Sequence, residues 1–165
     1  MQSGADRLYL ISEKVLDARA FGTLSWDDSS LRNWLNNEFY NTAFNSIEKG
    51  FLDEYVYYPS EMQVSGNVRT LWPYRNMDEY ADRVFVPQTS YIEFYMNGKN
   101  VSAAPTQAVQ EKLNTSSDKV EWWCVSELGM LAYSAYDNEA FTKRIKNNDC
   151  NMILGVRPVI VISLE

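Results

Sequence analysis

The stretch Ser29-Ser30-Leu31-Arg32-Asn33-Trp34-Leu35-Asn36-Asn37-Glu38-Phe39-Tyr40-Asn41-Thr42-Ala43-Phe44 decides how this chain is read. Leu31, Trp34, Leu35, Phe39 and Ala43 recur at helical spacing and share one face. Arg32, Asn33, Asn36, Asn37 and Asn41 fall on the other. Asp27, Asp28 and Ser29 stand just before it and supply capping side chains, with negative charge where the helix dipole is positive. An amphipathic helix is expected, packing Trp34, Leu35 and Phe39 on a sheet.

On the N-terminal side, Arg7 to Ser12 reads as a strand. Beyond the helix, Ser46 to Leu52 reads as a second short helix and Tyr55 to Tyr58 as a short strand before Pro59. Ser60 to Tyr80 lacks steady periodicity and is punctuated by Gly66 and Pro73. It is expected to be a long loop carrying Trp72, Tyr74 and Arg75, and long ordered loops tend to be functional. Arg83 to Val86 is a strand candidate, and Ser90 with Glu93 has capping-box spacing for a helix ending at Asn97-Gly98. Pro105-Thr106 opens a further helix with Val109 and Leu113 one turn apart. Val120 to Ser126 reads as a strand, Gly129 to Asn151 as strands joined by exposed turns, and Val159 to Leu164 as a closing strand, apolar on both sides and hence central. Strand, helices, loops and then strands is an α+β order, expected as one domain over residues 1–165.

Composition narrows the function classes. A net charge of −7 with no basic run argues against nucleic acid, whose binding rests on neutralising phosphates. No stretch approaches the ~20 apolar residues that span a bilayer, so no membrane insertion is expected. Met1 to Asp6 has neither a basic n-region nor an apolar h-region and does not read as a signal peptide. A cytoplasmic protein, or a surface-exposed fragment whose targeting segment is cut away, fits this. The chain has no His, which removes the commonest general base and metal ligand and excludes Ser-His-Asp and Cys-His triads. Cys124 and Cys150 match no zinc pattern, and are compatible with a disulfide in an oxidising compartment or with two free thiols. No metal and no cofactor is expected.

Several motifs in order resemble an uncharacterised bacterial domain family. The Ser29 to Phe44 helix is similar to that family's S-x-L-R-x-W-L-N-x-x-F-Y-x-x-A-F helix. Trp122-Trp123 stands where the family has a tandem Trp, and Gly155-Val156-Arg157-Pro158 where it has Gly-Val-Arg-Pro before a hydrophobic strand. Asp82 to Val86 resembles its Asp-Lys-Val-Phe-Leu strand, and Ala104-Pro105-Thr106 its Pro-Thr turn. The family looks like a branch of the C-type-lectin-like fold, near the sulfatase-modifying-factor group and the variable proteins of diversity-generating retroelements. The resemblance implies a small twisted antiparallel sheet with flanking helices and long loops, and a binding face built by loops near the chain's end. Cys124-Val125-Ser126-Glu127 replaces the family's Leu-Arg-Ser-Pro, so any role of that Arg is lost. Family domains also begin with a further strand before the one at Arg7, which implies a truncated domain or a piece of a longer protein.

Each candidate site has a plainer reading beside it. Trp122-Trp123 could stack on a sugar, but strand alternation puts one ring in the core and leaves the other half-covered. Arg157 could contact an anion, but a buried Arg is expected to tie down carbonyls or a carboxylate. Asp27 and Asp28 fit helix caps better than calcium, which needs six to eight oxygens. Asp137 and Glu139 could pair as acid and base, though a solvated loop is the default. The face favoured for a ligand is Tyr133, Tyr136, Asp137, Asn138, Phe141, Asn147, Asn148 and Asn151, completed by Trp72, Tyr74 and Arg75. Tyr with Asn and Ser is the composition of adaptable binding loops, although Asn, Asp and Ser also mark ordinary turns.

The expected function is a non-catalytic recognition domain for a protein or carbohydrate ligand, including the variant of a retroelement-diversified bacterial or phage protein. The rivals are an oxidase-type enzyme related to the sulfatase-modifying group, whose closely spaced Cys pair is missing here, and a structural or assembly domain. A homo-oligomer or a parent multidomain protein is compatible with all three.

Overall fold

The computed structural model describes residues 7–56, 62–64, 67–69, 81–92, 96, 101–125, 132–135, 142–144 and 149–164. The helix read from the sequence forms, with a break in its periodicity. Ser29 is the N-cap, its hydroxyl accepting from Arg32 N at 3.0 Å. Helix α1 (Ser30–Trp34) runs through a π-helical turn (Leu35–Phe39) into α2 (Tyr40–Ala43), and Tyr40 N–H reaches Leu35 O, five residues back. A π turn inserts one residue into the ladder, so the apolar stripe shifts. Leu31 and Leu35 are fully buried, Trp34 and Phe39 are only half-buried, and Ala43 is exposed. Tyr40 and Phe44, one position later, join Trp34 and Phe39 as partly buried side chains packed against the core. The side-chain amides of Asn36, Asn37 and Asn41 donate to the carbonyls of Arg32, Asn33 and Asn37, each four residues back.

Two residues of the polar face are tied to another segment. Arg32 Nε donates to Asp82 Oδ1 at 2.8 Å, and Asn36 Nδ2 donates to the same oxygen at 3.1 Å and to Val84 O at 2.9 Å. Asn36 Oδ1 accepts from Arg83 N and Val84 N. The helix is thereby stapled to the segment 82–84.

The sheets are small and mostly antiparallel. Strands β1 (Arg7–Ile11), β2 (Asp17–Ala20), β3 (Leu52–Asp53) and β4 (Tyr55–Val56) precede β5 (Met62–Val64), β6 (Asn67–Arg69) and β7 (Ala81–Asp82). They are followed by β8 (Trp122–Val125), β9 (Ala132–Ala135), β10 (Thr142–Arg144), β11 (Ile153–Val156) and β12 (Val159–Ser163). One sheet has the order β10-β9-β8-β11-β2, with only β11 and β8 parallel. Another has the order β1-β12-β3, so the apolar closing strand is central, as its composition implies. Two-stranded pairs β4-β7 and β5-β6 complete the described sheets. The β5-β6 hairpin lies inside the stretch read as loop.

Helices α3 (Ser46–Lys49), α4 (Thr89–Tyr91) and α5 (Gln107–Leu113) are short. Thr106 caps α5 as its sequence implies, while α4 begins at Thr89 with Gln88 as N-cap rather than at Ser90. Leu113 is followed by Asn114 in the left-handed conformation, which stops the helix.

Strand β8 is buried on both faces, contrary to the expectation of one half-covered Trp. Trp123 and Val125 join the cluster of Phe21, Trp26, Leu31 and Leu35, whereas Trp122 and Cys124 join Val101, Ala103 and Val109. Both rings are fully buried because elements cover the sheet on both sides. Each indole N–H is satisfied, Trp122 by Val101 O at 2.9 Å and Trp123 by Arg19 O at 2.8 Å. Gly155 allows the parallel pairing: a Cβ there would sit 2.6 Å from Val15 Cγ1 and 3.0 Å from Glu121 O.

The shifted stripe makes a prediction that plain helical spacing does not. Leu35→Ala should cost about 2–5 kcal/mol, and Trp34→Ala less than Leu35→Ala despite its larger ring. Urea unfolding of both variants checks this, and equal or reversed losses would restore the unbroken helix.

Candidate functional site

Strand β1 alternates its faces, so Arg7, Tyr9 and Ile11 point to the same side. From that side Tyr9 reaches Tyr55 and Tyr91. Phe85 and Val159 exchange main-chain hydrogen bonds at 3.0 and 2.7 Å, which fixes Phe85 beside the central strand. Tyr55 stacks on Phe85 with ring centroids 4.2 Å apart. Tyr9 meets Tyr55 edge-on at 5.8 Å and lies 5.6 Å from Tyr91. The result is an aromatic-walled cleft of about 430 Å³ lined by Arg7, Tyr9, Phe85, Pro87, Tyr91 and Met96 together with aliphatic side chains of β1 and β12. That volume suits a small apolar group.

Two hydroxyls and an amide come together beside the cleft. Tyr55 Oη lies 3.2 Å from Tyr91 Oη and 3.4 Å from Gln88 Oε1. Gln88 is 6% exposed, and its Nε2 has no hydrogen-bond partner among the described residues. Tyr9 is 44% exposed, so its ring is open to a ligand while its neighbours hold it. Arg7 Nε contacts Asp53 Oδ2 at 2.7 Å at the rim.

A second cleft, of about 300 Å³, is polar. Asp28, Asn33 and Asn37 lie along it, and its wall is the cluster around Asp82, whose carboxylate also accepts from Trp26 Nε1 at 2.7 Å. Among the described residues, no group of three or more His, Cys, Asp or Glu is placed to hold a metal.

The residues favoured from the sequence are mostly beyond reach. Trp72, Tyr74, Arg75, Tyr136, Asp137, Asn138, Phe141, Asn147 and Asn148 lie outside the described residues. Tyr133 is in β9, paired with Cys124 on one side and Arg144 on the other. Asn151 ends the 3-10 turn Asp149–Asn151 and is exposed. The aromatic cleft was not read from the sequence, because its walls Tyr9, Phe85 and Tyr91 lie far apart in the chain. The available signal was a tyrosine in an otherwise aliphatic strand.

Arg157 behaves as its setting between Gly155-Val156 and Pro158 implies. It is 2% exposed. Its Nε and Nη2 donate to Ser12 O at 3.1 and 2.9 Å, and its Nη1 to Val101 O at 3.4 Å. The guanidinium also sits 4.9 Å from the Trp122 ring centroid. Burial pushes its pKa down to about 10, so it remains a cation at neutral pH. Arg157 thus links β1, the segment at Val101 and the closing strand, which is a structural role.

The chain matches, over residues 5–164, a family described as a domain of unknown function. It belongs to the DUF6273 family. No curated protein and no solved structure matches it. The DUF6273 match spans both clefts and Arg157, and it agrees with an uncharacterised domain family.

Within this DUF6273 domain, Arg157→Met should cost about 2–5 kcal/mol, because it takes both guanidinium donors from Ser12 O and removes the cation from the Trp122 ring. Arg157→Lys should recover only part of this, since an ammonium cannot reproduce the fork. Melting curves for the two variants decide it, and full recovery by Lys would refute the role of the fork.

Proposed function

We propose that this domain is a non-catalytic recognition module with a C-type-lectin-like fold, and that its ligand is a protein. The observation that carries the reading is the open cleft with Tyr9 at its mouth. An exposed ring held by two others offers rigid apolar area at low entropic cost, which is how aromatic anchors work at interfaces. Small antiparallel sheets, short flanking helices and the pairing of β1 with β12 support the fold reading. Trp72, Tyr74, Tyr133, Tyr136, Asp137, Asn138, Phe141, Asn147 and Asn148 remain further candidate ligand residues, Tyr133 from strand β9. A carbohydrate is the second reading, favoured by the amides and carboxylate of Asn33, Asn37 and Asp28 along the polar cleft.

An oxidase of the sulfatase-modifying kind is less well supported. Cys124 and Cys150 are buried free thiols in different core clusters. Burial, aided by Glu121, pushes the Cys124 thiol well above its ordinary value, the opposite of what a reactive thiolate needs. A retroelement-diversified protein would carry a template repeat and a reverse transcriptase near its gene, which the genomic sequence reveals directly.

The test is capture by the immobilised domain from a displayed peptide library and from a glycan array. Tyr9→Ala should lower affinity for selected peptides by roughly tenfold or more while the melting temperature changes little. Glycan capture that survives Tyr9→Ala, with no peptide selected, would transfer the function to the carbohydrate reading.

A further inference from the structure

Strand β12 is apolar at every position from Val159 to Ile162, and it lies between β1 and β3. Residues directly opposite in an antiparallel pair share a face of the sheet. Val159 and Val161 therefore point with Ile11 and Tyr9 toward the core, where both valines are buried. The other face takes Leu8 and Leu10 from β1, Ile160 and Ile162 from β12 and Leu52 from β3, with Leu164 next in line.

An antiparallel sheet with one solvated face turns polar residues to the water. Here the polar residues Arg7, Asp53 and Ser163 belong to the core side, and the outer face has six aliphatic side chains and no charge. Leu52 is covered and Ile160 and Ile162 are half-buried. Leu8, Leu10 and Leu164, in contrast, are 46%, 43% and 57% exposed. Apolar residues on both faces belong to a sheet with a layer on each side. Among the described residues that second layer is incomplete.

We propose that a second copy of this chain completes it, the outer faces of two β1-β12 pairs packing across a two-fold axis. Such an interface sets a patch against its own likeness, so the patch must be complementary to itself. A chain of net charge −7 repels its copy overall. This face brings no charge to the contact, and the ionised groups beside the sheet are paired within the chain, Arg7 with Asp53 at 2.7 Å and Arg83 with Glu54 at 2.9 Å. Two aliphatic sheet faces stack about 10 Å apart with their side chains interdigitated. At ~4.8 Å between strands and ~3.4 Å per residue, this face is only ~15 Å on a side. It falls short of the ~800 Å² per partner of a standard interface, so the dimer is a weak one with a Kd of roughly 10–100 μM.

Sedimentation velocity of the full chain, from about 5 to 500 μM, tests this. The average mass should climb from one chain toward two across that range. Leu10→Lys should raise the Kd by roughly tenfold or more while the melting temperature changes little, since the position is exposed. Leu164→Lys should act in the same sense, and it decides the matter where Leu10→Lys does not fold. Ile153→Lys, an equally exposed change on β11 of the other sheet, should leave the association as it is. A dimer that survives both Leu10→Lys and Leu164→Lys, or that Ile153→Lys disrupts as strongly, would overturn the inference. A single-chain mass at every concentration would also overturn it and assign the face to a different protein.

Discussion

One buried carboxylate holds the described structure in its arrangement. Asp82 is 1% exposed and accepts from the Trp26 indole, the Arg32 guanidinium and the Asn36 amide. A charge taken out of water is tolerated only when paired and hydrogen-bonded, and these three donors come from the turn after β2 and from two positions on the first helix. Asn36 continues the staple into the main chain of Arg83 and Val84. The segment that follows carries Phe85, Pro87, Gln88 and Tyr91, so the place of the aromatic cleft depends on this one carboxylate.

Local signals were legible in the sequence where the chemistry is local. The cap at Ser29, one of the three side chains read as capping, and the helix start at Pro105-Thr106 are matters between near neighbours in the chain, and both occur. Arg157 could be assigned because a cation between Gly155-Val156 and Pro158, at the head of an apolar strand, has few options other than carbonyls. The cluster around Asp82 was not legible. Its partners lie about fifty residues away, and Arg32 and Asn36 look like ordinary solvent-facing residues on a helical wheel. The π turn was invisible for a related reason: its extra residue leaves the apolar composition unchanged and alters only the phase. Both Trp of β8 are buried because Val101, Val109 and their neighbours cover the second face, a tertiary fact that strand alternation alone does not contain.

The two clefts differ in their chemistry. The aromatic one is preorganised, since Tyr55, Phe85 and Tyr91 are packed before any ligand arrives, and binding to a preformed site spares the cost of ordering it. The polar one borrows its rigidity from the other side of the Asp82 cluster, with Asn33 and Asn37 linked to each other at its rim. Apolar and aromatic side chains line the first, and amides and carboxylates the second. Both are shaped by the same staple, so damage to it should reach both.

The most direct test of this account is the unfolding free energy of Asp82→Asn in urea, compared with the unsubstituted chain. The substitution keeps the shape, removes the charge and leaves Arg32 without the carboxylate it is packed against. A loss of about 3–5 kcal/mol is expected, as when one partner of a buried ion pair is removed. A loss within about 0.5 kcal/mol, the size of an ordinary surface change, would contradict the claim that this carboxylate organises the structure.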